Sequence, residues 1–118
     1  GTSTREEAGA WLEREVPAGA GIGLMRLPQP SNAPTVRWDR YRLEFFEPPA
    51  FAALPEGAPL PEWLVLSFPS YDDRPLVGGV LARRYALVKR FPQAGPAALL
   101  PKDGQGWGNP PFEVYRRR

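Results

Sequence analysis

The stretch Glu15–Leu24, "EVPAGAGIGL", decides the fold. Its glycines at 19, 21 and 23 can be read as a phosphate-binding loop or as a tight turn that launches a strand. A dinucleotide fingerprint follows a strand and opens a helix. This cluster does the opposite. It follows the amphipathic segment "STREEAGAWLEREV" and opens the apolar segment "AGIGLMRL", and Leu24 stands where the third fingerprint glycine belongs. The preferred reading is a helix-to-strand turn with close backbone packing. A nucleotide-binding enzyme with its cofactor at Gly19–Gly23 is the disfavoured reading.

Upstream, Thr4 is read as the helix cap, with Glu7 completing a capping box. Glu6 and Glu7 suit the positive end of the helix dipole. Ala8, Trp11 and Leu12 form one apolar stripe, and Pro17 and Gly19 end the helix. Downstream, Ile22 and Leu24 share one face of a strand, with Gly21, Gly23 and Met25 on the other. Residues 28–34 form a loop. "VRWDRYRLEFFEP" alternates as a half-exposed strand, with Asp39, Tyr41, Leu43 and Phe45 on one face and Trp38, Arg40, Arg42, Glu44 and Phe46 on the other. A helical turn is expected at Phe51–Leu54. "EWLVLSF", 62–68, is the clearest strand, apolar on both faces. A turn at "SYDDRP" leads to a short helix from Pro75, with Val77, Val80 and Leu81 inward. "YALVKRF" and "FEVYRRR" are the last strands, separated by a long loop. The expected fold is α/β, or α+β, with a mixed sheet of about five strands and two or three short helices in one domain, 1–118.

Composition narrows the chemistry. The chain has 118 residues, no Cys and no His, so disulfides, thiolate sites and histidine-based triads are excluded. No cofactor or metal site is indicated. The 13 Arg against two Lys fit a GC-rich coding bias, and the net charge is only +2. No apolar run approaches the roughly 20 residues that span a bilayer. The chain opens on Gly1 without an initiator Met, as expected of a piece of something larger.

Four stretches carry a resemblance. "STREEAGAWLEREVPAGAGI" resembles D-T-R-x-x-A-x-x-W-I-x-x-N-I-P-x-G-x-x-I, and "EWLVLSFPSY" resembles Y-V-V-x-S-S-x-x-Y. "YALVKRF" resembles Y-x-L-V-x-x-F, and "NPPFEVYR" resembles N-P-x-I-x-I-Y-R. In this order they are similar to the soluble C-terminal portion of polytopic membrane glycosyltransferases, the dolichyl-phosphate-mannose–protein mannosyltransferase and aminoarabinose-transferase-like group. The chain departs from the pattern at Ser3, Glu15 and Phe68. The resemblance implies a parent enzyme that takes a sugar from a polyprenyl-phosphate carrier, with its catalytic carboxylate near the first membrane spans. This chain would then be a non-catalytic extracytoplasmic domain at the cell membrane. Its partners would be the transmembrane portion of the parent and a glycan or protein acceptor, with the membrane surface nearby and no nucleic acid.

The polar stretch "SFPSYDDRP" follows the most buried strand, where open α/β sheets collect ligands. Ser70, Tyr71, Asp72 and Asp73 could meet sugar hydroxyls, and Arg74 could fork to a phosphate. Turn chemistry alone also accounts for these residues and is preferred. Trp38 and Trp107 are candidates for stacking on a sugar ring, whereas Trp11 and Trp63 belong with the apolar pattern. They define the alternative function, a free-standing carbohydrate-binding module. "VRWDRYR" interleaves aromatics with arginines as single-strand nucleic-acid binders do, but Asp39 and Glu44 interrupt it, so a solvated strand face is preferred. Arg83, Arg84, Lys89, Arg90 and Arg116–Arg118 form either a basic surface near anionic headgroups or a plain solubilising one.

Overall fold

The computed structural model describes residues 4–25, 34, 36–67, 73–91 and 112–118. In chain order these form α1 (Thr4–Glu15), β1 (Gly21–Met25), a 3-10 turn (Trp38–Arg40), β2 (Arg42–Phe46), α2 (Pro48–Ala52), β3 (Trp63–Ser67), α3 (Asp73–Arg84), β4 (Tyr85–Phe91) and β5 (Phe112–Arg117). The strands make one sheet in the order β2-β1-β3-β5-β4. β1 is parallel to β2 and β3, while β5 runs antiparallel between β3 and β4. The mixed α/β sheet expected from the sequence is therefore present.

Both faces of the sheet are covered. Ala8 and Leu12 of α1, with Val16 just after it, pack on Ile22, Leu24, Val65 and Val114. On the other face, Phe51 of α2 and Val77, Val80 and Leu81 of α3 pack on Leu64, Leu66, Tyr85 and Tyr115. Period-two alternation along β3 and β5 sends successive side chains to these two cores. That is why Trp63–Leu66 are all buried.

The glycines act as the turn reading requires. Gly19 has φ +87°, a conformation that L side chains rarely adopt, and it closes the reversal from α1 into β1. Its N–H donates to the Arg40 carbonyl at 2.6 Å, which fixes the entry to β2 as well. Gly23 lies at a close approach: a Cβ there would stand 2.7 Å from Pro61 Cγ and 2.8 Å from Leu64 Cδ1. The cluster sits at the amino end of β1, opposite the end where parallel strands usually present ligands.

Four local expectations are corrected. Thr4, expected to flank α1, is instead counted as its first residue, and it is buried. The strand expected over 36–48 is broken. A 3-10 turn at Trp38–Arg40 occupies its first part, and only Arg42–Phe46 pair with β1. The turn cancels the alternation, so Trp38 packs against the same core as Tyr41 and Leu43. α2 starts at Pro48, three residues early, because two prolines preset the first-turn φ and lack N–H groups that would be unpaired there. α3 starts at Asp73, two residues before Pro75, which still falls in the first turn. The loop expected at 28–34 lies, but for Pro34, outside the described residues.

Candidate functional site

β1, β3 and β4 end, and β5 begins, at one edge of the sheet, at Met25, Ser67, Phe91 and Phe112. α3 opens at this edge, directly after β3, and places Arg74 there. Its partner is Glu113, a carboxylate only 2% exposed. Arg74 Nη2 donates to Glu113 Oε2 at 2.8 Å, and Arg90 Nε lies 3.3 Å from the same oxygen. The Tyr115 hydroxyl donates to Glu113 Oε1 at 2.8 Å. Residues 113 and 115 share a strand face, and Arg90 is the cross-strand neighbour of Glu113. Strand geometry thus delivers three of the four groups, and the start of α3 delivers the fourth.

This arrangement is a clamp. Both Glu113 oxygens accept from the protein, and both arginines remain about half exposed on their outer sides. The group ties α3, β4 and β5 together at the sheet's carboxyl edge. Burial, reinforced by the hydrogen bond to Glu113, pushes the Tyr115 pKa up to about 12. Its phenol is therefore a fixed donor at neutral pH. Nearby, Ser67 ends β3 with its Oγ buried and without a hydrogen-bond partner among the described residues.

The amino end of the sheet has its own polar contacts. The Tyr85 hydroxyl donates to the Pro61 carbonyl at 2.6 Å, and burial raises its pKa to about 12. The Tyr41 hydroxyl lies 3.3 Å and 3.4 Å from the Leu12 and Val16 carbonyls at the end of α1, and burial raises its pKa. A groove of about 590 Å³ opens here, with Gly21, Arg42, Glu44, Leu60, Glu62 and Arg117 among its lining. Arg42 Nε donates to the Gly19 carbonyl at 3.1 Å, Arg117 Nη1 donates to the Leu60 carbonyl, and Glu62 accepts from Arg116 at 2.8 Å.

Of the residues singled out in the sequence, Arg74 reaches the carboxyl edge but spends its guanidinium on Glu113. Asp73 is the first residue of α3. Trp38 is partly buried against the α1-side core. Ser70, Tyr71, Asp72 and Trp107 lie outside the described residues. Trp63 is buried, and Trp11 meets it edge-on at 6.5 Å. The sequence reading has Glu113 only as part of the last strand and does not identify the clamp. The available signal was a lone acid between Phe112 and Val114, on the same face as Tyr115, in a strand with cationic neighbours. Among the described residues no group of three carboxylates could hold a metal ion. Comparisons with protein-family models, with curated proteins and with solved structures found no match to this chain.

Proposed function

We propose that this chain is a non-catalytic, extracytoplasmic domain of an integral membrane glycosyltransferase that uses a polyprenyl-phosphate-linked sugar, and that it acts in acceptor access. One observation carries the reading. The stretches with the family resemblance supply α1, the start of β1, β3, β4 and β5, which belong to one sheet and the core beneath α1. The motif positions are thus spent on one scaffold, as a supporting domain requires. The "NPPFEVYR" stretch contributes Glu113 and Tyr115, and both serve the inter-element clamp.

The partners on this reading are the transmembrane portion of the parent and a glycan or protein acceptor. The carbohydrate-module alternative draws less support, because Trp38 packs inward where a stacking platform needs an open ring face.

The test uses the parent enzyme and residues 1–118 side by side with a polyprenyl-phosphate-linked sugar and acceptor. The parent should transfer sugar, and removal of this domain should change acceptor use. The isolated chain should give no transfer. Turnover by residues 1–118 alone, or a parent gene without hydrophobic spans, overturns the proposal.

A further inference from the structure

We infer that the β4 edge, with the adjoining face of α3, docks onto an anionic lipid surface. Charge is divided unevenly along the chain: the described residues 73–91 and 112–118 hold eight basic side chains and two acidic ones. The fold turns this into a spatial polarity, because β5 and β4 lie together at one side of the sheet and β2 at the other. On α3, β4 and β5 the acids are Asp73 and Glu113, and Glu113 is buried and paired. β4 itself has none.

This cationic edge also carries aliphatic side chains. Leu76, Leu87 and Val88 are 48%, 50% and 42% exposed. The β4–β5 register shifts between Leu87 and Lys89, which leaves Val88 out of the pairing. α3 returns antiparallel to β4. Counting back from Arg84, Leu76 stands about 12 Å along the helix, and Val88 stands about 10 Å along the strand from Tyr85. The three apolar side chains therefore lie at a similar height along β4. Arg90 follows on the face that meets α3, Lys89 pairs with Val114 on the opposite face, and Arg83 stands about 10 Å further along α3. A bulge and a lysine on an edge strand also guard against strand-to-strand pairing. That role accounts for Lys89, but it leaves two neighbouring exposed aliphatics unexplained.

The mixture selects the partner. A single-strand nucleic-acid edge would add aromatic platforms for the bases, and a duplex held through its phosphates would gain nothing from exposed aliphatics. Aliphatics among cations suit the headgroup boundary, where apolar side chains enter and each cation gains about 1 kcal/mol near an anionic leaflet. The inference stands on this surface alone, so it can fail without touching the glycosyltransferase reading, and the reverse.

The experiment is co-sedimentation of the chain with phosphatidylcholine vesicles and with vesicles of phosphatidylcholine and phosphatidylglycerol in equal amounts. Binding should require the anionic lipid and weaken with added salt. Lys89→Ala and Arg83→Ala should each lower partitioning about fivefold, the equivalent of about 1 kcal/mol. Leu87→Asp combined with Val88→Asp should abolish it. Arg37→Ala, on the far side of the molecule, should leave it unchanged. Circular dichroism confirms that each variant folds. Three results overturn the inference: no binding to the mixed vesicles, equal binding to both vesicle types, or binding to oligonucleotides that survives the Leu87 and Val88 substitutions while vesicle binding is absent.

Discussion

Replacing Gly23 with alanine tests the reading of the glycine cluster most directly. The added Cβ would stand 2.7 Å from Pro61 Cγ, 2.8 Å from Leu64 Cδ1 and 3.3 Å from Phe46 Cε2. Ordinary contact begins near 3.4 Å, so two neighbours must retreat by more than half an ångström. Leu64 is fully buried between β1 and β5, and the Pro61 ring cannot change rotamer to make room. Overpacking of this kind costs about 1–3 kcal/mol. The lower backbone entropy of alanine in the unfolded chain returns about 0.4–1 kcal/mol. The net expectation is a loss of about 1–2 kcal/mol. For a domain of this size that is a fall in Tm of roughly 4–8 °C. Urea unfolding should show a lower midpoint with an unchanged slope. Gly78→Ala is the control, because nothing lies within 4 Å of its Cβ position on α3, and it should gain about 0.5–1 kcal/mol from helix propensity. A Gly23→Ala protein as stable as the parent would refute the packing argument and reopen the question of why that position is glycine.

Two further outcomes follow from the buried polar groups. Glu113→Ala removes the acceptor for Arg74 and Tyr115 together and should cost about 2–4 kcal/mol by urea denaturation. Glu113→Gln keeps the shape and an acceptor and should cost about half as much; equal stability of Glu113→Ala and the parent would show that the clamp is ornamental. Tyr85 and Tyr115 titrate near 12 in the folded protein, above the ordinary value of 10. A raised tyrosine pKa means that the folded state favours the neutral phenol. Its contribution is full below pH 10 and is lost as pH rises toward 12. Stability should therefore be insensitive to these groups up to pH 10, then decline. Tyr85→Phe should shallow that decline, while losing about 1–2 kcal/mol at neutral pH from the orphaned Pro61 carbonyl. An identical alkaline slope in the parent and Tyr85→Phe would count against this assignment.

The fold was legible where local pattern and tertiary packing agree. β4 begins and ends where "YALVKRF" does, and Val77, Val80 and Leu81 are the residues α3 buries. It was less legible where a short-range bond competes with alternation. Over Val36–Arg40 the pattern reads as strand, yet the Arg40 and Tyr41 N–H groups turn back to the Arg37 and Trp38 carbonyls at 3.1 Å each. The Gly19–Arg40 bond then holds that turn against the start of β1. A window of sequence does not contain a partner 21 positions away, so the break in β2 could not be read locally.

The clamp illustrates a deeper limit. Arg74 was legible as a cation at the carboxyl end of a strand, and the general rule for open α/β sheets made an anion its natural ligand. The anion it meets is Glu113, 39 residues further along the chain. Nothing local distinguishes a guanidinium kept for a ligand from one consumed by the protein, because both need the same charge at the same edge. What separates them is the strand order. With β5 inserted antiparallel between β3 and β4, Glu113 is brought under the first turn of α3. Had β4 paired directly with β3, a strand carrying Lys89 and Arg90 would have neighboured that turn and the guanidinium would have faced like charge. The insertion of β5 is therefore what turns a potential anion site into a structural joint.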